Sequence, residues 1–208
     1  MTKLAEHFGN IDIYLFDQLQ RGNIAPGMRV LDAGCGGGRN LVYLLREGYE
    51  VFGADASAEA VEHLRAVAAK LAPGLNGANF RVEPIEAMSF PDEFADVVIV
   101  SAVLHFARDE AHFQAMLGGA WRTLRPGGLL FCRLGSMIGL PEGAAEPIAG
   151  RRFRMPNGME WYLVDEAMLL RLTEDLGGTL ADPLKTTVVQ SFRSMTTWVV
   201  RKNATGQV

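Results

Sequence analysis

The chain has 208 residues, of which 49% are hydrophobic and 21% charged, with a formal net charge of −4. That balance describes one globular domain with a single sizeable core, excludes a disordered or fibrous chain, and gives no electrostatic reason to expect a nucleic-acid partner. Two cysteines, Cys35 and Cys132, exclude a disulfide framework and a cysteine-rich metal site.

Glu6, His7 and Asp12 come early and no apolar signal-like run precedes them, so a cytoplasmic protein is the expectation. The longest apolar stretch, 97–107, is interrupted by Ser101 and His105 and is too short to span a bilayer, so no membrane role is expected. Residues 1–25 form an extension. Strand-like and helix-like segments then alternate. Arg29–Ala33 reads as a first strand, and 41–47 as a helix ended by Gly48. Glu50–Ala54 is a second strand ending at Asp55, and Ser57 caps a helix running to Leu71. Phe80–Glu83 is a third strand broken by Pro84. Ala95–Ser101 is a fourth, apolar on both faces as a central parallel strand should be. Glu110–Leu124 is an amphipathic helix stopped by Arg125-Pro126-Gly127-Gly128, and Leu129–Leu134 is a fifth strand. Asp165 caps a helix reaching Leu176. Lys185–Gln190 and Met195–Arg201, joined by a short connection, read as an antiparallel hairpin.

The pattern predicts one α/β domain over 1–208, a doubly wound Rossmann-like sheet of seven mostly parallel strands with an antiparallel C-terminal hairpin. Two segments stand outside the alternation. One is 1–25, expected to act as a lid. The other is 135–164, expected as an insertion on the substrate side, because it leaves the carboxyl edge where ligands of such sheets bind.

Residues 30–40, Val-Leu-Asp-Ala-Gly-Cys-Gly-Gly-Gly-Arg-Asn, carry the chemistry. A buried strand runs into a glycine turn and a helix N-terminus, the corner that binds nucleotides. Arg39 occupies the place where a dinucleotide fingerprint starting at Gly34 needs glycine or alanine. Asp32 precedes the turn, where pyrophosphate would meet a carboxylate. Both departures point to a ligand bearing a cationic amine, which Asp32 faces directly or through water. Asp55 ends the second strand about 20 residues beyond the glycines, where an acid accepts from both hydroxyls of a ribose and disfavours a 2′-phosphate.

This corner, with Asp55, Phe94-Ala95-Asp96-Val97-Val98 and Leu124-Arg125-Pro126-Gly127-Gly128 in order and spacing, resembles the class I S-adenosylmethionine-dependent methyltransferases over about residues 28–134. Gly38-Arg39-Asn40, Tyr43-Leu44, Gly48-Tyr49-Glu50-Val51 and Arg193–Trp198 are similar to the tellurite-resistance type of small-molecule methyltransferase. The resemblance implies S-adenosyl-L-methionine as cofactor and roles by position. Gly34 and Gly36 pass under its methionine part, with Asp32 near the amine and Arg39 in the same loop. Asp55 holds the ribose diol and Ala56 touches adenine. Pro84 stands where the family often has an acid, so Ile85 and Glu86 are expected to meet adenine instead. Ser101 presents its carbonyl to the cofactor amine.

His105 follows the fourth strand by four residues. It is the candidate general base, with an ordinary pKa of about 6.5, or else a ring packed beneath the cofactor. Tyr14, Phe153 and Trp161, in the two outlying segments, are candidate substrate contacts. Arg151, Arg152 and Arg154 suit either an anionic substrate or a solvated face, and Cys35 reads as space-filling. His7, His63 and His112 show no ligand-like spacing, so no metal is expected. The resulting expectation is methyl transfer to a small molecule. An RNA methyltransferase, a non-catalytic cofactor-binding protein and a nicotinamide dehydrogenase share parts of the pattern, and Arg39 argues against the last.

Overall fold

The computed structural model describes residues 2–204. Two N-terminal helices, α1 (Lys3–Phe8) and α2 (Ile13–Gln20), precede the alternating core. The core runs β1 (Arg29–Ala33), α3 (Val42–Arg46), β2 (Glu50–Asp55), α4 (Ala58–Leu71), β3 (Phe80–Val82), β4 (Ala95–Ser101), α5 (Glu110–Thr123) and β5 (Leu124–Gly135). Next come β6 (Glu146–Ala149), β7 (Arg152–Arg154) and β8 (Glu160–Tyr162), then α6 (Glu166–Asp175), β9 (Gly178–Leu180), β10 (Lys185–Val189) and β11 (Arg193–Lys202).

The main sheet has the order β10-β11-β5-β4-β1-β2-β3, with β9 paired to β11. Strands β1 to β5 are parallel, and β11 runs antiparallel beside β5 and β10. The strand order reverses between β1 and β4, which opens the crevice at their carboxyl ends.

The all-apolar central strands follow from two cores. Alternate side chains point to opposite faces of a strand. Val30, Val97, Ile99, Leu129 and Phe131 enter the core formed with α3 and α4. Leu31, Val98, Val100, Leu130 and Cys132 enter the one formed with α5 and α6. Asp96 interrupts the run because it clamps strand starts: its carboxylate accepts from Arg29 N at 2.6 Å and from Arg125 Nε.

Three sequence expectations change. Helix α5 ends at Thr123, and the chain enters β5 at Leu124 without a separate loop. Arg125–Gly128 instead bulges between the pairs Ala95–Leu124 and Val97–Leu129, with Gly127 at φ 75°. An eighth strand, β9, joins the sheet. The 135–164 segment is not a bare connection but contains a three-stranded antiparallel sheet, β6-β7-β8. The chain just past β8 pairs back with the chain at the end of β5, where Met137 N donates to Val164 O at 2.8 Å and Val164 N to Gly135 O at 3.3 Å.

Gly119 shows how tightly α5 supports the crevice. A Cβ there overlaps the Ile85 carbonyl oxygen and lies 3.1 Å from Glu86 Cα, both backbone atoms of the turn Ile85–Ala87. Gly119→Ala is therefore expected to destabilise by about 1–3 kcal/mol through overpacking, against a helix-propensity gain of at most about 1 kcal/mol. Urea unfolding checks the sign, and an unchanged or raised midpoint would refute it.

Candidate functional site

Three cavities line up along the carboxyl edge of the sheet and meet at Ala102. The first, about 580 Å³, is walled by Gly34, Gly36, Asp55, Ala56, Ile85 and Glu86 among others. The second, about 430 Å³, takes in Gly9, Asn10, Arg39, Asn40, His63 and Ser101. The third, about 260 Å³, lies between β5, β8 and β11 and includes His105 and Trp161. Ala102, just beyond β4, lines all three with φ at 64°, a left-handed conformation costly for a residue with a side chain and one that clusters at functional sites.

The glycine turn is built for close approach at one position and for packing at others. Gly34 N donates to Ala54 O at 2.8 Å, and its φ of 85° and contact with the Val103 side chain both forbid a Cβ. Gly38 is likewise filled against Leu64. Gly36, at φ 49°, has no heavy atom within 4 Å of a Cβ position, so there the backbone borders open space. Cys35 fills the gap beside Gly53, and burial pushes its thiol pKa up, which makes it inert.

Asp55 braces the turn. Its Oδ2 accepts from Gly36 N and its Oδ1 from Ser57 N, both at 2.9 Å. A carboxylate offers about four lone-pair sites, so acceptor capacity remains on the wall of the cleft. Asp32 is 1% exposed, and its Oδ1 has no hydrogen-bond partner among the described residues. Burial pushes its carboxyl up to about 7, with Arg39 pulling down and Asp55 pushing up. Arg39 Nη2 donates to Ser101 Oγ at 3.0 Å, tying the glycine turn to the end of β4. Glu86 Oε1 lies 3.2 Å from His112 Nε2 on α5. Pro84 and Ile85 complete that wall, while Glu83 turns away to Ser89.

His105 sits in the turn Leu104–Phe106 and is 2% exposed. Burial lowers its pKa to about 4, so the ring is neutral at pH 7. Gly135 N donates to its Nδ1 at 3.3 Å. A neutral imidazole has one acceptor nitrogen, so Nε2 carries the hydrogen in this arrangement. The Trp161 ring lies 4.3 Å from the imidazole at 36°. Only a glycine at 135 permits this, because a Cβ there meets Trp161 Cε3 at 2.7 Å.

The other expected substrate contacts separate. Trp161 lines the third cavity. Phe153 pairs with Trp161 across β7 and β8 and packs behind it with Met155 and Leu163. Tyr14 stands behind Arg133: its ring centroid is 5.4 Å from the guanidinium, and its hydroxyl is 2.8 Å from Thr187 Oγ1. Arg151, Arg152 and Arg154 take the solvated alternative, paired with Asp165, Glu160 and Glu146.

Sequence reading missed Arg133 and Arg193, which also line the third cavity. Arg133 had a signal, since it is a lone charge in the apolar run Leu129–Leu134. It pairs with Asp12 at 2.6 Å, and the Asp12 side chain is fully buried. Asn40 completes this corner by accepting from Asp12 N at 3.0 Å. Gly38-Arg39-Asn40 thus has structural work at every position. Among the described residues no group of three or more His, Cys, Asp or Glu is placed to hold a metal ion. No helix among them is long and apolar enough to cross a membrane.

Residues 31–132 match the family described as a methyltransferase domain. An uncharacterized methyltransferase of Synechocystis is 36% identical over 116 residues, covering 55% of this chain and 51% of the relative. A ubiquinone biosynthesis O-methyltransferase of Sinorhizobium medicae is 33% identical over 129 residues, covering 62% and 47%. The chain thus spans about half the length of the curated relatives it matches. The crystal structure of an S-adenosylmethionine-dependent methyltransferase from Methanosarcina mazei superposes with a TM-score of 0.73 at 22% identity, covering 89% of this chain and 97% of that one.

Proposed function

We propose that this chain, whose residues 31–132 match a methyltransferase domain, is a class I S-adenosylmethionine-dependent methyltransferase that transfers the methyl group of S-adenosyl-L-methionine to a small-molecule acceptor. The observation that carries the reading is the open backbone of Gly36 held by the braced Asp55 on the cleft wall, at the end of a strand whose Asp32 Oδ1 is buried without a partner among the described residues. These fit the cofactor's backbone, ribose and amine respectively. Arg39 suits its carboxylate, the Ser101 carbonyl its amine, and Ala56, Ile85 and Glu86 its adenine. Kinship with a ubiquinone-pathway O-methyltransferase supports a small-molecule acceptor.

When bound, S-adenosylmethionine supplies a methyl on a sulfonium, a leaving group that needs no acid. The protein's part is alignment and exclusion of water, and orientation alone supplies roughly 7–11 kcal/mol in a well-aligned site. His105 and Trp161 form one rigid wall of the acceptor cavity. With Nδ1 engaged by Gly135, His105 offers Nε2–H to the acceptor. It accepts a proton at Nε2 only after its own hydrogen moves to Nδ1, which breaks the Gly135 bond, and its burial-lowered pKa of about 4 works against that role. The 1–25 segment, through Gly9 and Asn10, and the 135–164 insertion, through Trp161, close over the two sides.

Calorimetry with S-adenosylmethionine tests the assignment. Asp55→Ala is expected to weaken binding by roughly 1.5–3 kcal/mol, the range for hydrogen bonds to a charged group. Unchanged affinity would remove the ribose role.

A further inference from the structure

The third cavity is chemically one-sided. Arg39, Arg133 and Arg193 line it with His105, Trp161 and Met195, and no carboxylate does. Of the three guanidiniums, only Arg133 has a carboxylate within ion-pair distance among the described residues, namely Asp12. Arg39 has the Ser101 hydroxyl. Arg193 lies 5.9 Å from the Phe192 ring and forms no salt bridge among the described residues. Two more donors, Arg133 Nε and the Trp161 indole N–H, are buried without an acceptor among the described residues. The one lone pair of His105 is engaged by Gly135. The lining therefore offers positive charge and N–H groups and almost nothing that accepts.

The complement of such a lining is a negatively charged ligand with acceptors only. A ligand without acceptors leaves the buried donors unsatisfied, which is costly, and a neutral acceptor lacks the charge-assisted bonds that an anion makes to the guanidiniums. Met195, Ala102 and the Trp161 ring add apolar surface, which a carbon skeleton covers and a bare oxyanion does not. A volume of about 260 Å³ is at the small end for ligand sites.

We propose that the acceptor is a small organic carboxylate of about single-ring size, its carboxylate held by Arg193 and Arg133. This rests on the methyl-transfer reading, because the cavity qualifies as the acceptor site through sharing Arg39 and Ala102 with the cofactor cleft. Arg193 is exposed at the start of β11, so its replacement leaves the core intact.

The test titrates the protein loaded with S-adenosylhomocysteine with benzoate, salicylate, pyruvate, benzamide and inorganic phosphate. At least one carboxylate is expected to bind saturably and at least about tenfold more tightly than benzamide and phosphate. Arg193→Gln is expected to weaken that carboxylate about tenfold or more, with partial recovery in Arg193→Lys, while S-adenosylhomocysteine affinity stays within about twofold. No saturable carboxylate binding, equal binding of benzamide, or an unchanged Arg193→Gln variant overturns the proposal. Phosphate binding more tightly than every carboxylate overturns its organic part. Failure of S-adenosylhomocysteine to bind the wild-type protein defeats the methyl-transfer reading instead.

Discussion

Asp32→Asn is expected to stabilise the ligand-free protein at pH 8 by about 1–4 kcal/mol and to abolish the pH dependence of cofactor binding. The native carboxyl is buried with one oxygen unpartnered, and burial lifts its pKa from the usual carboxylate range to about 7. In the unfolded chain the same group ionises near pH 4. Between those values the unfolded state binds fewer protons than the folded one, so stability falls as pH rises from about 4 to about 7. Above that window the penalty is fully present. The variant carries no such charge, so its advantage should be small at pH 4 and complete by pH 8. Urea midpoints across that range check this, and a pH-independent difference would refute it. A cationic amine beside Asp32 favours the ionised form. S-adenosylmethionine affinity should therefore rise between about pH 5.5 and 7.5 in the wild-type protein and stay flat in Asp32→Asn.

The largest loss of stability is expected from Arg133→Met. Arg133 Nη1 donates to Asp12 Oδ2 at 2.6 Å, and Asp12 also caps α2 by accepting from Tyr14 N at 3.0 Å. Removing the cation leaves a fully buried carboxylate unpaired, which costs about 3–5 kcal/mol. The pair joins the N-terminal helices to β5, so hydrogen exchange in α2 should speed up more than in β4. The double variant Asp12→Asn/Arg133→Met should recover part of the loss, because it removes the orphaned charge. An Arg133→Met variant unfolding within about 1 kcal/mol of wild type would show that the pair contributes little.

Much of the sheet was legible because its signals are local. β1, β2 and β4 alternate between two apolar faces, and Ser57 and Asp165 cap their helices as read. The β6-β7-β8 sheet was not, because its short strands are exposed along β6 and bury only a few rings, so neither period stands out. The stop after α5 was read to within one residue, but Arg125–Gly128 joins β5 rather than a loop because strand pairing at Leu124 outweighed the turn chemistry of Pro126-Gly127.

By itself, the sequence carried the α/β alternation and the match to a methyltransferase domain, and it supplied the expectation that the cofactor lies over the glycine turn. The glycine turn, Asp32 and Asp55 lie within one strand–turn–helix unit and the strand after it, so their spacing encodes their geometry. Only the tertiary structure assembled the third cavity, proposed above as the acceptor site. Arg39, Arg133, Trp161 and Arg193 are far apart in the chain, and their convergence depends on β8 and β11 packing against the ends of β4 and β5. Long-range packing leaves no periodic trace in the segments it joins. For that reason Arg193 read as part of the short connection before the last strand and of a stretch similar to one methyltransferase type, and Arg151, Arg152 and Arg154 drew attention that their ion pairs explain.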